Sequence, residues 1–280
     1  MEDQLDGQKV RRQIIVFLLI TFALSTVFWA LIVQAGRTSG LKQLYTLGLM
    51  WCPGVAALLT NLIYQHNLRG LGWRLGPVRW LLLSYALPIA YAGVIYALTW
   101  LLGWGAFTVE NVPQGQPWPI FVLRNATFLF LFGGLIPALG EEIGWRGYLV
   151  PQLAKRTSFT NVALISGAIW AVWHYPLILF SDYHSAAPRW LALLCFSLLT
   201  VGVSFAFAWL RLKSGSLWTA AILHASHNVF IQSILDPLTK DTGITTYITT
   251  EFGIGLALMA VIVALLFWRH RDALPSTDSP

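Results

Sequence analysis

The stretch "GLIPALGEEIGWRGYLV", residues 134 to 150, ends a long apolar run with two adjacent carboxylates and a nearby arginine. Glu142 and Arg146 are four residues apart, so on a helix they share a face and can neutralise each other. Glu141 points about 100° away from Glu142 at 3.6 residues per turn, and it is left free for chemistry. The competing interpretation is a solvated helix end that carries an ordinary ion pair.

The rest of the chain avoids charge. Of its 280 residues, 56% are hydrophobic and 11% are charged, whereas soluble globular domains carry about 25% charged residues. Fourteen tryptophans suit a protein with many membrane–water interfaces, where this residue is enriched. The net charge of +6 is scattered between apolar segments and does not indicate a nucleic-acid partner. We therefore predict an all-α, polytopic membrane protein.

Eight apolar stretches are long enough, or nearly so, to cross a bilayer core, which takes about 20 helical residues. The first is longer than the core of a signal peptide, about 7–15 residues, and we interpret it as a retained helix. We expect one integral membrane domain over residues 1–271 and a disordered polar tail over 272–280. The predicted spans are 14–33, 44–64, 80–102, 120–139, 162–180, 190–210, 217–235 and 252–268.

The distribution of Lys and Arg predicts the orientation, because cytoplasmic loops carry an excess of both. With a cytoplasmic N-terminus, most of the 18 basic residues fall on the cytoplasmic side. Arg124 lies within the fourth span. The outer loops hold Arg37, Lys42, Arg189 and Lys240. We therefore expect eight spans in the cell membrane with both termini cytoplasmic.

Two further polar sets interrupt the apolar spans. In "WAVWH", Trp170 and His174 are four residues apart on one helical face of the fifth span. In "HASHN", His224 and Asn228 share a face of the seventh span, and His227 flanks it. Ionisable residues inside membranes tend to be functional because burying them is costly. The competing interpretations are a structural buried histidine and hydrogen bonds between helices.

Depth along each span tests whether these sets can meet. From the cytoplasmic ends of their spans, His224 lies roughly 10 Å deep and His174 roughly 20 Å deep, at 1.5 Å per residue. Glu141 falls just past the end of the fourth span. We therefore expect the fourth helix to start later and to run on to about Tyr148, which leaves Arg124 at the outer boundary. The three sets then meet in a cavity open to the cytoplasm.

A carboxylate, imidazoles and a carboxamide are typical of a hydrolytic site with an activated water. Glutamate is a suitable general base, a histidine can orient the same water, and a second histidine with an asparagine can stabilise an oxyanion. No cofactor is required in this interpretation. Zinc is the alternative, with Glu141, His174 and His224 as ligands and water in the fourth position. The HExxH signature is absent, and the sequence leaves the choice open.

The three sets, in this order and within residues 120–230, resemble the type II CAAX prenyl endopeptidase family. This family, also called CPBP, includes bacteriocin-processing and immunity-type membrane proteins. The resemblance implies an eight-helix intramembrane endopeptidase in which Glu141 and His174 activate water. It implies further that His224 and Asn228 form the oxyanion site. Glu142 and Arg146 would support the first motif. Trp170 stands where the family often has Phe, and His227 lies outside the matched pattern.

The leading hypothesis is an endopeptidase that cleaves a peptide bond near the cytoplasmic side of the bilayer. Its partners would be the lipid bilayer and a peptide or protein substrate, prenylated or otherwise membrane-anchored. The alternative is a non-enzymatic scaffold or bacteriocin-immunity-type protein. A transporter is disfavoured because the chain shows neither repeated halves nor matching broken helices.

Overall fold

The computed structural model describes residues 2–36 and 40–275, with side chains from residue 7 onward. Arg37 and residues 276–280 of the predicted tail lie outside this range. The predicted all-α class is confirmed. Over the described residues, the only strands are β1 (Gly105–Phe107) and β2 (Thr239–Asp241), which pair antiparallel. These two strands join loops at one end of the helices.

Eleven α-helices make up most of the described part of the chain. They are α1 (Glu2–Ala35), α2 (Lys42–Gln65), α3 (Val78–Leu101), α4 (Trp118–Arg124), α5 (Ile136–Glu142), α6 (Val150–Ala154), α7 (Phe159–Phe180), α8 (Arg189–Ser214), α9 (Leu217–Asn228), α10 (Thr245–Ile248) and α11 (Ile254–Arg269). Wider π-helical turns occupy Asn125–Leu135, Ile143–Leu149 and Val229–Leu235, and a short 3-10 turn covers Arg271–Ala273.

The π-helical turns join α4, α5 and α6 into one continuous helix, Trp118–Ala154, which we call the central helix. The prediction that this helix runs on to about Tyr148 is right, but the prediction of a later start is wrong. Pro117 and Pro119 begin the helix early, since proline suits the first helical turn. Glu141 lies 23 residues after Trp118 and 13 before Ala154, so both Glu141 and Glu142 lie well inside the central helix.

Six helices of the described chain are long and apolar enough to cross a membrane: Gly7–Ala35, Lys42–Gln65, Val78–Leu101, Trp118–Ala154, Phe159–Phe180 and Arg189–Ser214. The seventh predicted span is helical through α9 and the turn Val229–Leu235. Its polar side chains lower its mean hydropathy, so it is not among the six apolar helices. The eighth is the short apolar helix α11. The polytopic architecture is therefore confirmed, and the count of eight is not.

Successive helices run between two opposite faces of the molecule. The face that holds the start of α1 and the end of α11 is called the terminal face. There Trp268 donates to Thr160 at 3.1 Å, and Trp209 donates to the carbonyl of His270 at 2.9 Å. The loops 66–77 and 154–158 and the turn between α8 and α9 also lie on this face, where the backbone of Leu217 donates to the carbonyl of Gly72.

The opposite face is called the loop face. It holds the start of α2 and the loops 102–117, 181–188 and 236–253. Strands β1 and β2 join two of these loops. An ion pair between Lys42 and Asp182 joins the start of α2 to the loop after α7. The hydroxyl of Thr242 donates to the carbonyl of Trp104 at 2.8 Å.

Glycines bring α2 and the central helix into close contact beside the two glutamates. A Cβ on Gly54 would lie 2.5 Å from the carbonyl oxygen of Gly140. A Cβ on Gly144 would lie 2.5 Å from the Cβ of Pro53. Small residues allow membrane helices to approach this closely, and the resulting packing stabilises their association. The backbone on both sides of the glutamates is therefore fixed against α2.

Candidate active site

The three polar sets of the sequence meet at one cavity of about 290 Å³. Glu141 comes from α5, His174 from α7, and His224 and Asn228 from α9. All four line this cavity, although they lie far apart in the chain. The structure thus brings together every residue predicted to be catalytic, while their chemical roles stay predictions.

Glu141 is 1% exposed, and it accepts a hydrogen bond from Trp170, which belongs to the stretch 170–174. The indole nitrogen of Trp170 donates a hydrogen bond of 2.8 Å to Oε2 of Glu141. No other hydrogen bond from the described residues reaches this carboxylate. A phenylalanine at position 170 would have no donor, so the tryptophan adds a contact that the resemblance alone did not suggest. One oxygen of Glu141 is thereby fixed beside the cavity.

Glu142 is fully buried and makes three hydrogen bonds. Nη1 of Arg146 lies 2.9 Å from its Oε1 and 3.2 Å from its Oε2. Nδ1 of His224 lies 2.9 Å from the same Oε1. Helix geometry predicted that Arg146 would bind Glu142 and leave Glu141 free of this ion pair, and the structure shows this arrangement. The contact with His224 was not foreseen.

Arg146 is fully buried and lies between two aromatic rings. Its guanidinium carbon is 4.1 Å from the ring centre of Trp170 and 4.0 Å from that of Phe207. Nη2 also donates to the hydroxyl of Ser204 at 3.2 Å. Cation–π contacts of desolvated guanidinium groups contribute about 2 kcal/mol. Arg146 therefore joins the central helix to α7 and α8 immediately beside the cavity.

The hydrogen bonds of the two cavity histidines define their tautomers. Nδ1 of His174 lies 2.9 Å from the carbonyl oxygen of Trp170, which can only accept, so Nδ1 donates. Nδ1 of His224 likewise donates to the carboxylate of Glu142. In each neutral ring Nε2 then carries the lone pair. Both rings therefore keep Nε2 available for a water, a substrate or a metal ion.

Donors suited to zinc are present, but they are not grouped as a metal centre. A histidine that binds metal commonly donates its other N–H to a carboxylate or a backbone carbonyl, as His174 and His224 do here. Within residues 2–36 and 40–275, however, no group of three or more His, Cys, Asp or Glu side chains is arranged to hold a metal ion. The donor chemistry fits zinc, whereas the present side-chain arrangement does not.

A second acidic centre lines the same cavity and was missed by sequence reasoning. Glu251 is 5% exposed, and its Oε1 accepts hydrogen bonds from His227 at 3.0 Å and Gln232 at 2.9 Å. Its Oε2 accepts one from the hydroxyl of Tyr183 at 2.7 Å. His227, whose role was open, also bonds to the hydroxyl of Tyr91. A lone glutamate ahead of a weak span gives no motif that could have indicated this centre.

Glu251 lies between α10 and α11, outside the membrane-spanning helices. Burial alone would raise the pKa of this carboxyl group, but the hydrogen bonds and charge of His227, with those from Tyr183 and Gln232, outweigh it. The pKa is lowered to about 2. The cavity therefore holds a carboxylate that is ionised at neutral pH.

The cavity extends from the glutamates towards the loop face. Ser181, Asp182 and Tyr183 of the loop after α7 line it, as does Lys42 at the start of α2. The sequence analysis combined cytoplasmic termini with a cavity open to the cytoplasm. The start of α1 and the end of α11 lie on the opposite, terminal face, and among the described residues neither contributes to the lining of the cavity. His174 lies fifteen residues after the start of α7 at Phe159 and six before its end at Phe180, which agrees with the depth expected for it.

Comparison with known proteins agrees with the three polar sets. Residues 123–230 match the family model described as type II CAAX prenyl endopeptidase Rce1-like. The CAAX prenyl protease 2 of Methanococcus maripaludis is 30% identical over 189 residues, which cover 65% of this chain. The chain spans about 60% of the length of that curated relative. Residues 123–230 of this chain are therefore similar to the type II CAAX prenyl endopeptidase Rce1-like family.

Proposed function

We propose that this protein is an intramembrane endopeptidase that hydrolyses a peptide bond with an activated water. The observation that carries the proposal is the convergence of Glu141, His174, His224 and Asn228 on one cavity. The family match over residues 123–230 supports the same reaction class. A general base, a water-orienting imidazole and oxyanion donors are the parts that this hydrolysis needs.

In the proposed reaction, Glu141 removes a proton from a water that also donates to Nε2 of His174. The water oxygen forms a bond to the peptide carbonyl carbon, and the carbonyl oxygen becomes an oxyanion. The amide N–H of Asn228 donates to that oxyanion. The C–N bond then breaks, and the proton held by Glu141 passes to the leaving amine.

His224 is the second proposed oxyanion donor. Its Nδ1 proton is used by Glu142, so it must donate from Nε2. It can do so only when both ring nitrogens carry a proton. Glu142 accepts the Nδ1–H bond and is itself neutralised by Arg146, so the oxyanion is the group that balances the resulting positive charge. Glu142 and Arg146 thus support the site without contacting the reacting atoms.

We propose that the reaction needs no cofactor, because Glu141 and His174 can activate water directly. The alternative is a zinc ion held by Glu141, His174 and His224, which would supply a Lewis acid for the bound water. In either case Trp170 fixes one oxygen of Glu141, and Glu142 fixes the ring of His224. Metal analysis separates the two mechanisms.

The walls of the cavity indicate a membrane-associated peptide substrate. Leu177, Phe196, Leu199 and Val203 make one wall apolar. A second cavity, about 320 Å³, shares Met50 and other lining residues with the first. It lies between α2 and the middle of the central helix, where Leu129, Gly133 and Pro137 line it. An apolar or lipid-modified segment could enter between these two helices. Cleavage near the cytoplasmic side, as first predicted, depends on which face is cytoplasmic.

The test replaces the proposed base with its neutral isostere, Glu141→Gln. Membrane peptides from cells carrying the wild type and the variant are compared by mass spectrometry. We expect peptides that depend on the wild type to disappear, with a rate loss of about 10²- to 10⁴-fold, since general-base catalysis contributes that much. Glu110→Gln, in an exposed loop, is the matched control. Unchanged peptides in the Glu141 variant would reject the proposal and favour a scaffold.

A further inference from the structure

We propose that Gln232 binds the backbone of an extended peptide substrate, two residues away from the scissile carbonyl. This role rests on the proposed function, because it takes Asn228 as the donor to that carbonyl. Three features of the site support it: the position of Gln232 relative to Asn228, the polar groups that Gln232 has left over, and the route between the two cavities.

Gln232 lies one helical turn beyond Asn228. Asn228 ends α9, and Gln232 belongs to the π-helical turn Val229–Leu235. Residues four apart on a helix share a face, and both side chains line the cavity of about 290 Å³. At 1.5 Å per residue they are separated by about 6 Å along the helix. The two side-chain amides therefore form a short polar row beside the proposed general base.

Glu251 fixes the orientation of the Gln232 amide. Nε2 of Gln232 lies 2.9 Å from Oε1 of Glu251. The pKa of Glu251 is lowered to about 2, so this carboxylate is ionised at neutral pH and accepts hydrogen bonds only. The NH₂ group of Gln232, and not its carbonyl oxygen, must therefore face Glu251.

This contact uses one of the polar groups of Gln232 and leaves two. Its carbonyl oxygen and its second N–H make no hydrogen bond to any described residue. The side chain of Asn228 likewise makes none. Gln232 thus offers the cavity one acceptor and one donor, which are the complements of the N–H and C=O of a peptide backbone.

The spacing of the two amides matches that of an extended chain. In an extended peptide the N–H and C=O of one residue point to the same side, and every second residue repeats this arrangement. Two residues of such a chain span about 6.7 Å, close to the separation of Asn228 and Gln232 along their helix. With Asn228 on the scissile carbonyl, Gln232 therefore reaches the backbone of the residue two positions away.

The two cavities meet along this row. Five residues line both of them: Lys42, Thr46 and Met50 of α2, and Asn228 and Gln232 opposite. A peptide that extends from one cavity into the other would pass between these two rows, with Gln232 against its backbone. Backbone contacts carry no information about side chains, and methionine adapts to neighbours of different shape. The expected substrate is therefore an extended peptide whose side chain two residues from the cleaved bond is variable.

The test measures binding to Glu141→Gln protein, so that it does not depend on cleavage. A library of ten-residue peptides composed of Leu, Ala, Val, Phe, Ser and Gly is passed over this protein in neutral detergent, and retained peptides are identified by mass spectrometry. The best-retained peptide is then made as a series in which an ester replaces one amide at a time. Each ester removes one backbone N–H.

Dissociation constants of this series are measured for three proteins that all carry Glu141→Gln. One has no further change. The second adds Gln232→Met, which keeps the length of the side chain and removes both free polar groups. The matched control adds Gln114→Met in an exposed loop that lines neither cavity. Gln232→Ala is a second variant, and each protein must elute as a single species with an unchanged melting temperature.

We expect one ester position to weaken binding about two- to tenfold in the parent and the Gln114 control, since one hydrogen bond contributes that much. The same ester should have no effect with Gln232→Met. Protein with Glu141 intact should cleave the parent peptide directly after a residue two positions from the sensitive one. Identical ester effects in all three proteins, a series without a sensitive position, or no retained peptide would overturn the role of Gln232.

The two proposals fail in different ways. A sensitive position that depends on Gln232, in a peptide that protein with Glu141 leaves intact, would refute the peptidase and leave the binding role standing. Cleavage accompanied by ester effects that do not depend on Gln232 would refute the binding role and leave the peptidase standing. Cleavage at another distance from the sensitive residue would overturn the proposed register.

Discussion

Nδ1 of His224 lies 2.9 Å from Oε1 of Glu142, the oxygen that also binds Nη1 of Arg146 at 2.9 Å. The fully buried carboxylate of Glu142 thus binds both His224, a proposed oxyanion donor, and Arg146, the cation that neutralises the carboxylate. The central helix and α9 are joined at this point, so the position of the His224 ring depends on Glu142. Glu141 and Glu142, although adjacent, should therefore respond differently to the same substitution.

Glu142→Gln should reduce both stability and activity. Breaking a buried ion pair by removing one partner costs about 3–5 kcal/mol, and Arg146 would stay buried without its counter-charge. His224 would also lose its carboxylate acceptor. Thermal unfolding in detergent and peptide cleavage, measured on the same preparations, check this. Glu141→Gln is the comparison, because it should abolish cleavage with a much smaller change in melting temperature. Equal melting temperatures for the Glu142 variant and the wild type would contradict the role of this ion pair.

Much of the site could be predicted from the sequence because charge is rare in this chain. Glu141, His174 and His224 stand out as ionisable groups within apolar helices, and spacing of four residues correctly placed Glu142 with Arg146. Burial of a charge is costly, so each such residue indicates a cavity or a partner. These inferences depend on local spacing and composition, which a single sequence contains.

Other features depend on contacts between distant segments. Glu251 carries no motif, and only the folded chain brings it to His227 and Tyr183. The loop residues Ser181, Asp182 and Tyr183 that line the cavity were not foreseen, because they belong to none of the three polar sets. The start of the central helix was misplaced because the helix was shifted as a whole to bring Glu141 deeper, whereas the observed helix is longer and begins at Trp118. These features depend on tertiary packing, which the spacing of residues along the sequence does not reveal.

Trp170→Phe should lower activity without unfolding the protein. The phenyl ring keeps an aromatic face near Arg146 but cannot donate to Glu141. A hydrogen bond to a charged group contributes about 1.5–3 kcal/mol, so we expect kcat/KM to fall about ten- to a hundredfold. Trp268→Phe, which removes an indole donor on the terminal face, is the matched control. If both variants retained wild-type activity, the Trp170–Glu141 hydrogen bond would have no part in the reaction.

Removing divalent metal ions should leave peptide cleavage unchanged, because the proposed mechanism uses Glu141 and His174 without a cofactor. Protein purified without added metal is analysed for zinc by mass spectrometry, and cleavage is measured before and after dialysis against a chelator. Stoichiometric zinc that is lost together with activity, and restored with it, would replace the direct mechanism with the metal-dependent one. His174→Ala should then also lower the bound zinc.

Glu251→Gln should reduce stability at neutral pH, and the reduction should shrink in acid. The pKa of Glu251 is lowered from 4.5 to about 2 by His227, Tyr183 and Gln232 despite its burial. A carboxyl group with a lowered pKa stabilises the fold fully above its unfolded pKa and loses this contribution as the pH falls towards its folded pKa. The melting temperature of the variant should therefore stay below that of the wild type by a constant amount above about pH 5 and approach it between about pH 4.5 and 2. Glu110→Gln, on an exposed carboxylate, is the control, and a gap that widened in acid would contradict the charged state of Glu251.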